Sequence, residues 1–199
     1  MNWLKVSLPI LYLFFVLILV VWRAYIVWQK TGVNALHVYR FDGIYGYVGW
    51  WFRIVFVGLA GVVFIFSFGG NLYNLLTPIT WLDTPLLDGI GVCLFIISLI
   101  WIFIAQHQMG ASWRIGIDNE NETTLVTHGI YAYSRNPIFV GTRLNNFALF
   151  IILPNAVTLT LWILGDVLTY IQVMLEEEHL AKLHGETYQN YSHRVRRWL

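Results

Sequence analysis

Residues 138–175 read IFVGTRLNNFALFIILPNAVTLTLWILGDVLTYIQVML, two apolar blocks separated only by Pro154 and Asn155. Each block approaches the roughly 20 residues that an α-helix needs to cross the hydrocarbon core of a bilayer. A connection this short folds consecutive helices back on each other. The stretch therefore predicts a transmembrane helical hairpin with spans at about 138–153 and 156–175, the first being the shorter.

Three further apolar blocks lie upstream, at about 6–22, 47–68 and 86–105, and the first continues past Arg23 to Trp28. Only 12% of the 199 residues are charged, while 58% are hydrophobic. Soluble domains carry roughly 25% charged residues, so lipid must replace water around these blocks. The sequence therefore predicts an all-α, polytopic membrane protein with about five transmembrane helices.

The chain divides into two regions within one structural domain. Residues 1–105 hold three transmembrane helices with their loops, and residues 106–199 hold a polar loop, the hairpin and a tail. The net charge of +1 comes without a basic stripe, which excludes a nucleic-acid partner. A single cysteine, Cys93, excludes an intrachain disulfide. No metal site is predicted, and the sequence leaves the oligomeric state open.

The placement of lysine and arginine predicts the topology. The first loop, the third loop and the tail are rich in these residues. The second loop has no lysine or arginine, and its charged residues are Asp83 and Asp88. Because basic loops stay in the cytosol, we expect the amino terminus outside and the carboxyl terminus inside, although Lys5 opposes this. The two longest polar segments, 106–137 and 176–199, then share the cytosolic side.

A polar stripe runs along the fifth predicted helix, since positions three or four apart share a face. Its members are Asp166, Thr169, Tyr170, Val173, Glu176 and Glu177. An ionisable residue inside a span usually faces a partner or a cavity. Depth along the antiparallel hairpin predicts a hydrogen bond from Asp166 to Asn145 or Asn146. This bond either fastens the hairpin or marks a substrate contact.

The acidic cluster Glu176–Glu178 is expected at the carboxyl end of that helix, where the helix dipole disfavours negative charge. Two interpretations remain open from charge alone. The cluster is either a solvated surface turn beside His179 and Lys182, or a site that receives a cationic ligand group.

The loop 106–137 is either an ordinary membrane-surface loop or a binding loop, and its residues alone leave both interpretations open. Gly129 can adopt a backbone conformation closed to other residues, and Pro137 suits the first turn of the fourth helix. The backbone amides at that helix start are expected to face the cytosol as an anion site.

The combination of four segments resembles the superfamily of isoprenylcysteine carboxyl methyltransferases and phospholipid methyltransferases. The segments are Leu125–Tyr131 (LVTHGIY) with Arg135–Gly141 (RNPIFVG), Glu176–Glu178 after the hairpin, and Gly185–Tyr191 (GETYQNY) in the tail. The resemblance covers residues from about 106 to the end. It implies a membrane methyltransferase that takes S-adenosylmethionine in a cytosolic pocket and receives its acceptor from the bilayer.

The resemblance also assigns residues to that pocket. Around the nucleoside it implies Thr123, Thr124, Leu125 and Val126, and for other donor contacts Tyr131, Asn136, Pro137, Ile138 and Phe139. Glu176, or Glu177 if the register slips by one, would hold the polar end of the donor. Arg135 is the candidate catalytic residue that orients an anionic acceptor, with anchoring to lipid headgroups as its other interpretation. Gln172, Asp166 and Asn145 are the candidate substrate contacts.

Two positions depart from the superfamily pattern. Asn136 stands where a histidine is usual, and Gln172 stands where carboxyl methyltransferases have an arginine that holds the acceptor. A neutral amide is a poor clamp for a carboxylate, so the acceptor stays open among carboxylates, amines and thiols of lipid-like molecules. The alternatives to a methyltransferase are a membrane oxidoreductase similar to the sterol reductases, and a non-catalytic membrane protein that retains the fold.

Overall fold

The computed structural model describes residues 2–32, 43–113 and 124–199. Within these ranges the chain forms helices and irregular segments without a β-strand. The α-helices are, in chain order, α1 (Trp3–Thr31), α2 (Gly43–Phe68), α3 (Pro85–Met109), α4 (Pro137–Ile152), α5 (Ala156–His184) and α6 (Glu186–Arg194).

The all-α, polytopic prediction is confirmed. Helices α1, α2, α3 and α5 are each long and apolar enough to cross a membrane, and α4 is a shorter apolar helix of 16 residues. The hairpin prediction for α4 and α5 also holds, since Asn155 ends the connection and caps α5. Its side-chain oxygen accepts a hydrogen bond from the backbone N–H of Thr158 at 2.9 Å.

One predicted boundary is wrong: α5 does not end near 175 but continues to His184. Apolar periodicity stops where the helix leaves the hydrocarbon, whereas the helix itself needs only residues of good helix propensity. Lys182 and Glu178 support this polar extension with an ion pair of 2.6 Å at i, i+4 spacing. The helix stops at Gly185, whose φ is +52°.

The connections α2–α3 and α4–α5 lie at the same end of the molecule. The backbone N–H of Ile79 donates to the carbonyl of Pro154 at 2.7 Å, and the N–H of Ala156 donates to the carbonyl of Thr77 at 3.2 Å. At the opposite end, the α3–α4 loop meets the end of α5 and the tail. The polar segments 124–137 and 176–199 therefore lie at the same end of the molecule.

Small residues allow α3 and α4 to pack closely in an antiparallel register. A Cβ on Gly141 would lie 2.4 Å from Ile102 Cγ1, and one on Gly91 would lie 2.6 Å from Ile152 Cγ1. Between these contacts the Asn145 amide donates to Ser98 Oγ at 2.9 Å. Close approach and a buried hydrogen bond replace the hydrophobic driving force that lipid cannot supply.

Helix α1 contains π-helical hydrogen bonding from Val16 to Trp22, which interrupts the regular backbone pattern. The side-chain amide of Gln106 donates to the carbonyl of Leu19 in this segment at 2.9 Å. Arg23 belongs to this helix, in agreement with an apolar block that continues past it. It donates to the carbonyl of Gly110 and lies 5.8 Å from the ring centroid of Trp113. Helix α1 is thereby attached to the end of α3.

Candidate functional site

Glu177 is the centre of a buried polar cluster where the start of α4 meets the last turns of α5. The Arg197 guanidinium donates Nη2–H to Glu177 Oε2 at 3.0 Å and contacts the same carboxylate through Nε. The Asn136 amide donates to Glu177 Oε1 at 2.8 Å, and Arg135 Nη2 lies 3.4 Å from Oε2. The residue is only 9% exposed, so these partners replace the water it has lost.

The tail reaches this cluster by pairing with the segment that precedes α4. The Tyr191 hydroxyl donates to the carbonyl of Tyr131 at 2.7 Å, and the N–H of Arg135 donates to the carbonyl of Arg196 at 2.9 Å. Arg135 Nη1 also donates to the carbonyl of Ser192 at 3.2 Å. The tail and the 129–136 segment therefore form one continuous cover over the end of α5.

Arg135 is largely taken up by these contacts. Its side chain is 14% exposed, so it does not reach out to lipid headgroups, and that interpretation is wrong. Its role as the group that orients an anionic acceptor stays a prediction. The contacts to Glu177 and Ser192 show that it also positions the tail.

Glu176 differs from its neighbour because it is half-buried and makes no hydrogen bond or ion pair with another residue in the described part of the chain. The third glutamate, Glu178, is exposed and pairs with Lys182. Since α5 continues to His184, the cluster is not at the helix end, and the expected conflict with the helix dipole is wrong. What remains is a carboxylate in a poorly hydrated position, which favours a cationic partner.

Two tyrosines next to the glutamates stay protonated at neutral pH. Burial raises the pKa of the Tyr131 phenol well above its usual range, and the nearby charges of Glu176 and Tyr191 raise it further. Burial likewise raises the pKa of Tyr191 to about 12, with Arg135 opposing the shift. Tyr131 is therefore a neutral aromatic wall beside Glu176 rather than a proton acceptor.

The start of the predicted pocket is formed by residues 124–130. Thr124 and Ser112 share a hydrogen bond of 2.9 Å between their hydroxyls, and Leu125 and Val126 are half-buried. Residues 124–127 carry no regular secondary structure. Thr123 lies outside the described residues.

The predicted turn at Gly129 is confirmed by its φ of +63°. A Cβ at Gly129 would lie 2.3 Å from Gln108 Oε1, and that oxygen accepts the backbone N–H of Ile130 at 2.9 Å. Glycine thus meets both a conformational and a steric requirement, and it fixes the loop against the end of α3.

The start of α4 is more enclosed than the sequence predicted. Pro137 is the first residue of the helix, as expected. However, Asn136 and Pro137 are both buried, and the Asn136 amide is used by Glu177 and by the carbonyl of Arg197. These two residues do not present an open anion site to the cytosol. Ile138 and Phe139 are half-buried on the first turn.

The predicted partner of Asp166 is wrong. Asp166 pairs with Arg143, whose Nε and Nη2 donate to Oδ1 and Oδ2 at 2.5 and 3.0 Å. Asn145 instead faces α3 and bonds to Ser98. Depth along the hairpin identified the correct level in α4 but could not show which face of α4 points to Asp166. A bidentate pair with an arginine is stronger than a hydrogen bond to an amide. The signal in the sequence was the arginine inside an apolar block, which requires a partner.

The structure therefore brings together the catalytic candidate and four of the predicted donor residues, and it separates the predicted substrate contacts from them. Tyr131, Arg135, Asn136, Glu176 and Glu177 meet at one end of the hairpin. Asp166 lies eleven residues before Glu177, roughly 16 Å along the helix axis. Gln172 is 8% exposed between these levels. Across the described ranges no group of His, Cys, Asp and Glu could hold a metal ion.

Comparisons with known proteins point to one family. The sequence profile described as phospholipid methyltransferase matches residues 87–187. Curated relatives named protein-S-isoprenylcysteine O-methyltransferase include those of Tribolium castaneum, 27% identical over 112 residues, and Rattus norvegicus, 28% identical over 129 residues. These matches cover 55% and 60% of this chain, and 40% and 42% of the two relatives. The chain thus spans about two fifths of the length of the curated relatives it matches.

A solved structure shares the fold. The structure of the eukaryotic intramembrane Ras methyltransferase, an isoprenylcysteine carboxyl methyltransferase, matches with a TM-score of 0.54 at 21% sequence identity. The match covers 87% of this chain and 58% of that chain. It extends the similarity into the first helices, where the sequence shared only its hydropathy with the superfamily.

Proposed function

The chain belongs to the phospholipid methyltransferase family, and from that membership we propose that it moves a methyl group from S-adenosylmethionine to a lipophilic acceptor in the membrane. The observation that supports this most directly is Glu176, a half-buried carboxylate that has no partner in the described part of the chain. Its charge acts on the buried phenol of Tyr131, and the carbonyl of Tyr131 accepts a hydrogen bond from Tyr191 in the tail.

The residues around Glu176 suit the amino acid end of S-adenosylmethionine. That end carries an ammonium group, and Glu176 offers a carboxylate in a poorly hydrated position. Glu177 is not equivalent, because Arg135 and Arg197 already neutralise it and the Asn136 amide donates a hydrogen bond to it. We therefore assign the cofactor contact to Glu176 and a structural role to Glu177.

The remaining donor contacts follow from the same placement. The nucleoside would lie along 123–126, and Tyr131 would form a wall of the pocket. The start of α4, with Asn136, Pro137, Ile138 and Phe139, would close the other side. Asn136 contributes by holding Glu177 and the tail, since its amide is used in those bonds.

Methyl transfer requires the protein to align donor and acceptor and to exclude water, and it requires little covalent catalysis. When bound, S-adenosylmethionine supplies a methyl group activated by its positively charged sulfur. The protein's residues then have to hold donor and acceptor in line and keep water out. The paired tail and 129–136 segment would exclude water on the cytosolic side, and Arg135 would orient an anionic acceptor.

The acceptor is lipid-like, and its reacting atom is the open part of the proposal. The curated relatives are named for O-methylation of isoprenylcysteine. Here Gln172 is neutral and buried, which removes one clamp for a carboxylate. Oxygen, nitrogen and sulfur acceptors therefore remain candidates within this proposal.

The placement of charge also supports a topology. We propose that the end of the molecule holding Glu176 and the tail is cytosolic and that the amino terminus lies outside. Lys30, Arg135, Arg196 and Arg197 lie at that end, whereas the opposite connection carries Asp83. The donor site would then face the compartment that contains S-adenosylmethionine.

Titration calorimetry with S-adenosylhomocysteine and with NADPH tests this function against its alternatives. We expect the purified protein to bind S-adenosylhomocysteine, with no heat from NADPH. Binding of NADPH alone would overturn the proposal in favour of a reductase. Binding of neither would favour a non-catalytic protein. The comparisons give no support to these alternatives.

A further inference from the structure

Arg143 is a cation in the membrane region that the donor site does not use. Two of its N–H groups, on Nε and Nη2, bind both oxygens of Asp166. This bidentate pair fixes one edge of the planar guanidinium and sets its direction between α4 and α5.

The tail fixes a second side of the same group. The guanidinium carbon of Arg143 lies 4.6 Å from the ring centroid of Trp198, at stacking distance. Its Nη1 makes no hydrogen bond with another residue in the described ranges, and the side chain is 36% exposed. The remaining edge of the guanidinium, formed by Nη1 and the second N–H of Nη2, is therefore held in a fixed direction and is free to bind a ligand.

The position of this edge connects the bilayer with the donor site. Trp198 follows Arg197, which binds Glu177. Arg143 lies six residues into α4, roughly 9 Å from the helix start. Further along the same seam, Phe147 and Phe150 pack on Trp162, with ring centroids 4.9 and 5.3 Å apart. A lipid whose polar group meets Arg143 would have an apolar aromatic seam for its chain.

An ion pair whose only role is to fasten α4 to α5 would not need this arrangement. Charged residues in membrane spans usually face the interior of the helix bundle, which is where a pair that only fastens two helices would lie. Here both partners are more than a third exposed, and a residue of the tail stacks on the arginine.

From this geometry we propose that Arg143 binds an anionic group, a carboxylate or a phosphate, of a lipid-like molecule on the α4–α5 seam. Asp166 is the positioning residue that holds the guanidinium, and Trp198 restricts its face. Calling this molecule the methyl acceptor rests on the proposed function. Arg143 would then supply the charge that Gln172 lacks, so the acceptor belongs to the acidic or phosphate-bearing lipids.

Lipid binding tests this without any methyl donor. The probes are radiolabelled oleate, oleoyl lysophosphatidic acid and monoolein, which share one acyl chain but carry a carboxylate, a phosphate or no charge. In detergent micelles, Arg143→Gln should weaken binding of an anionic probe by about tenfold or more and leave monoolein unchanged. An effect limited to oleate assigns a carboxylate, and one limited to lysophosphatidic acid assigns a phosphate.

Two further variants separate recognition from a clasp. Lys182→Gln removes a cation from an exposed ion pair elsewhere on α5 and should leave all three affinities unchanged. The exchange Arg143→Asp with Asp166→Arg keeps the pair, so thermal stability should be retained while anion selectivity is lost. Wild-type anion selectivity in Arg143→Gln or in the exchanged variant would overturn the proposal. Binding of S-adenosylhomocysteine, measured in parallel, should be unchanged, and its failure in the wild type would count only against the proposed function.

Discussion

Replacing Glu177 by alanine is expected to release the tail from the end of α5. The substitution leaves Arg135, Arg197 and Asn136 without their shared acceptor in a buried position. Removing one partner of a buried charged pair costs about 3–5 kcal/mol. If most of that cost falls on tail docking, the population with an open tail rises on the order of 100-fold.

Limited trypsin digestion measures this opening directly, because Arg194, Arg196 and Arg197 lie in the tail. Cleavage after these residues, followed by mass spectrometry, should be much faster in Glu177→Ala than in the wild type. Glu178→Ala is the matched control, since Glu178 pairs only with the exposed Lys182 among the described residues. Equal protection of the tail in Glu177→Ala and in the wild type would show that Glu177 does not hold it.

Replacing Glu176 by alanine is expected to abolish donor binding while the tail stays docked. The carboxylate has no structural partner in the described ranges, so its loss removes a ligand contact without opening the tail. A ligand ammonium left unpaired in a poorly hydrated site should weaken binding by about 100-fold or more. Glu176→Gln keeps the size and loses the charge, and we expect it to bind almost as poorly.

Calorimetry with S-adenosylhomocysteine gives the affinity, and trypsin digestion of the same sample reports the tail. The expected pattern is lost binding with wild-type protection, the reverse of a purely structural defect. Glu178→Gln should retain wild-type affinity. Unchanged affinity in Glu176→Ala would contradict the assignment and move the polar end of the donor elsewhere.

The sequence was sufficient to predict the structural features that depend on neighbouring residues in the chain. Apolar block length predicted the spans, and the Pro154–Asn155 connection predicted the hairpin. The predicted turn at Gly129 is confirmed, because its positive φ and the close approach of the Gln108 side chain both disfavour a side chain at this position. Pro137 at the first turn of α4 follows from the same kind of local rule.

The errors arise where a side chain can choose among several faces or neighbours. Depth along the hairpin placed Asp166 correctly but could not show that Asn145 turns to α3 while Arg143 turns to α5. Hydropathy could not locate the end of α5, because a helix continues past the membrane without an apolar signal.

The roles of the paired glutamates depend on tertiary contacts. Adjacent identical residues in Glu176–Glu178 gave no basis for separating a ligand contact from a structural one. The structural contacts of Glu177 come from the tail and from the segment before α4, since Arg197 and the 135–136 pair converge on it from elements far apart in sequence. Such convergence is a property of the fold and is not contained in the spacing of the motif.

The most direct test of the central claim is transfer of a radiolabelled methyl group from S-adenosylmethionine into a total lipid extract. The purified protein should label a discrete lipid-like species that mass spectrometry can identify, and Glu176→Ala should label none. A wild-type protein that binds S-adenosylhomocysteine and labels no lipid-like molecule would contradict a lipid methyltransferase. Equal labelling by the wild type and Glu176→Ala would contradict the site.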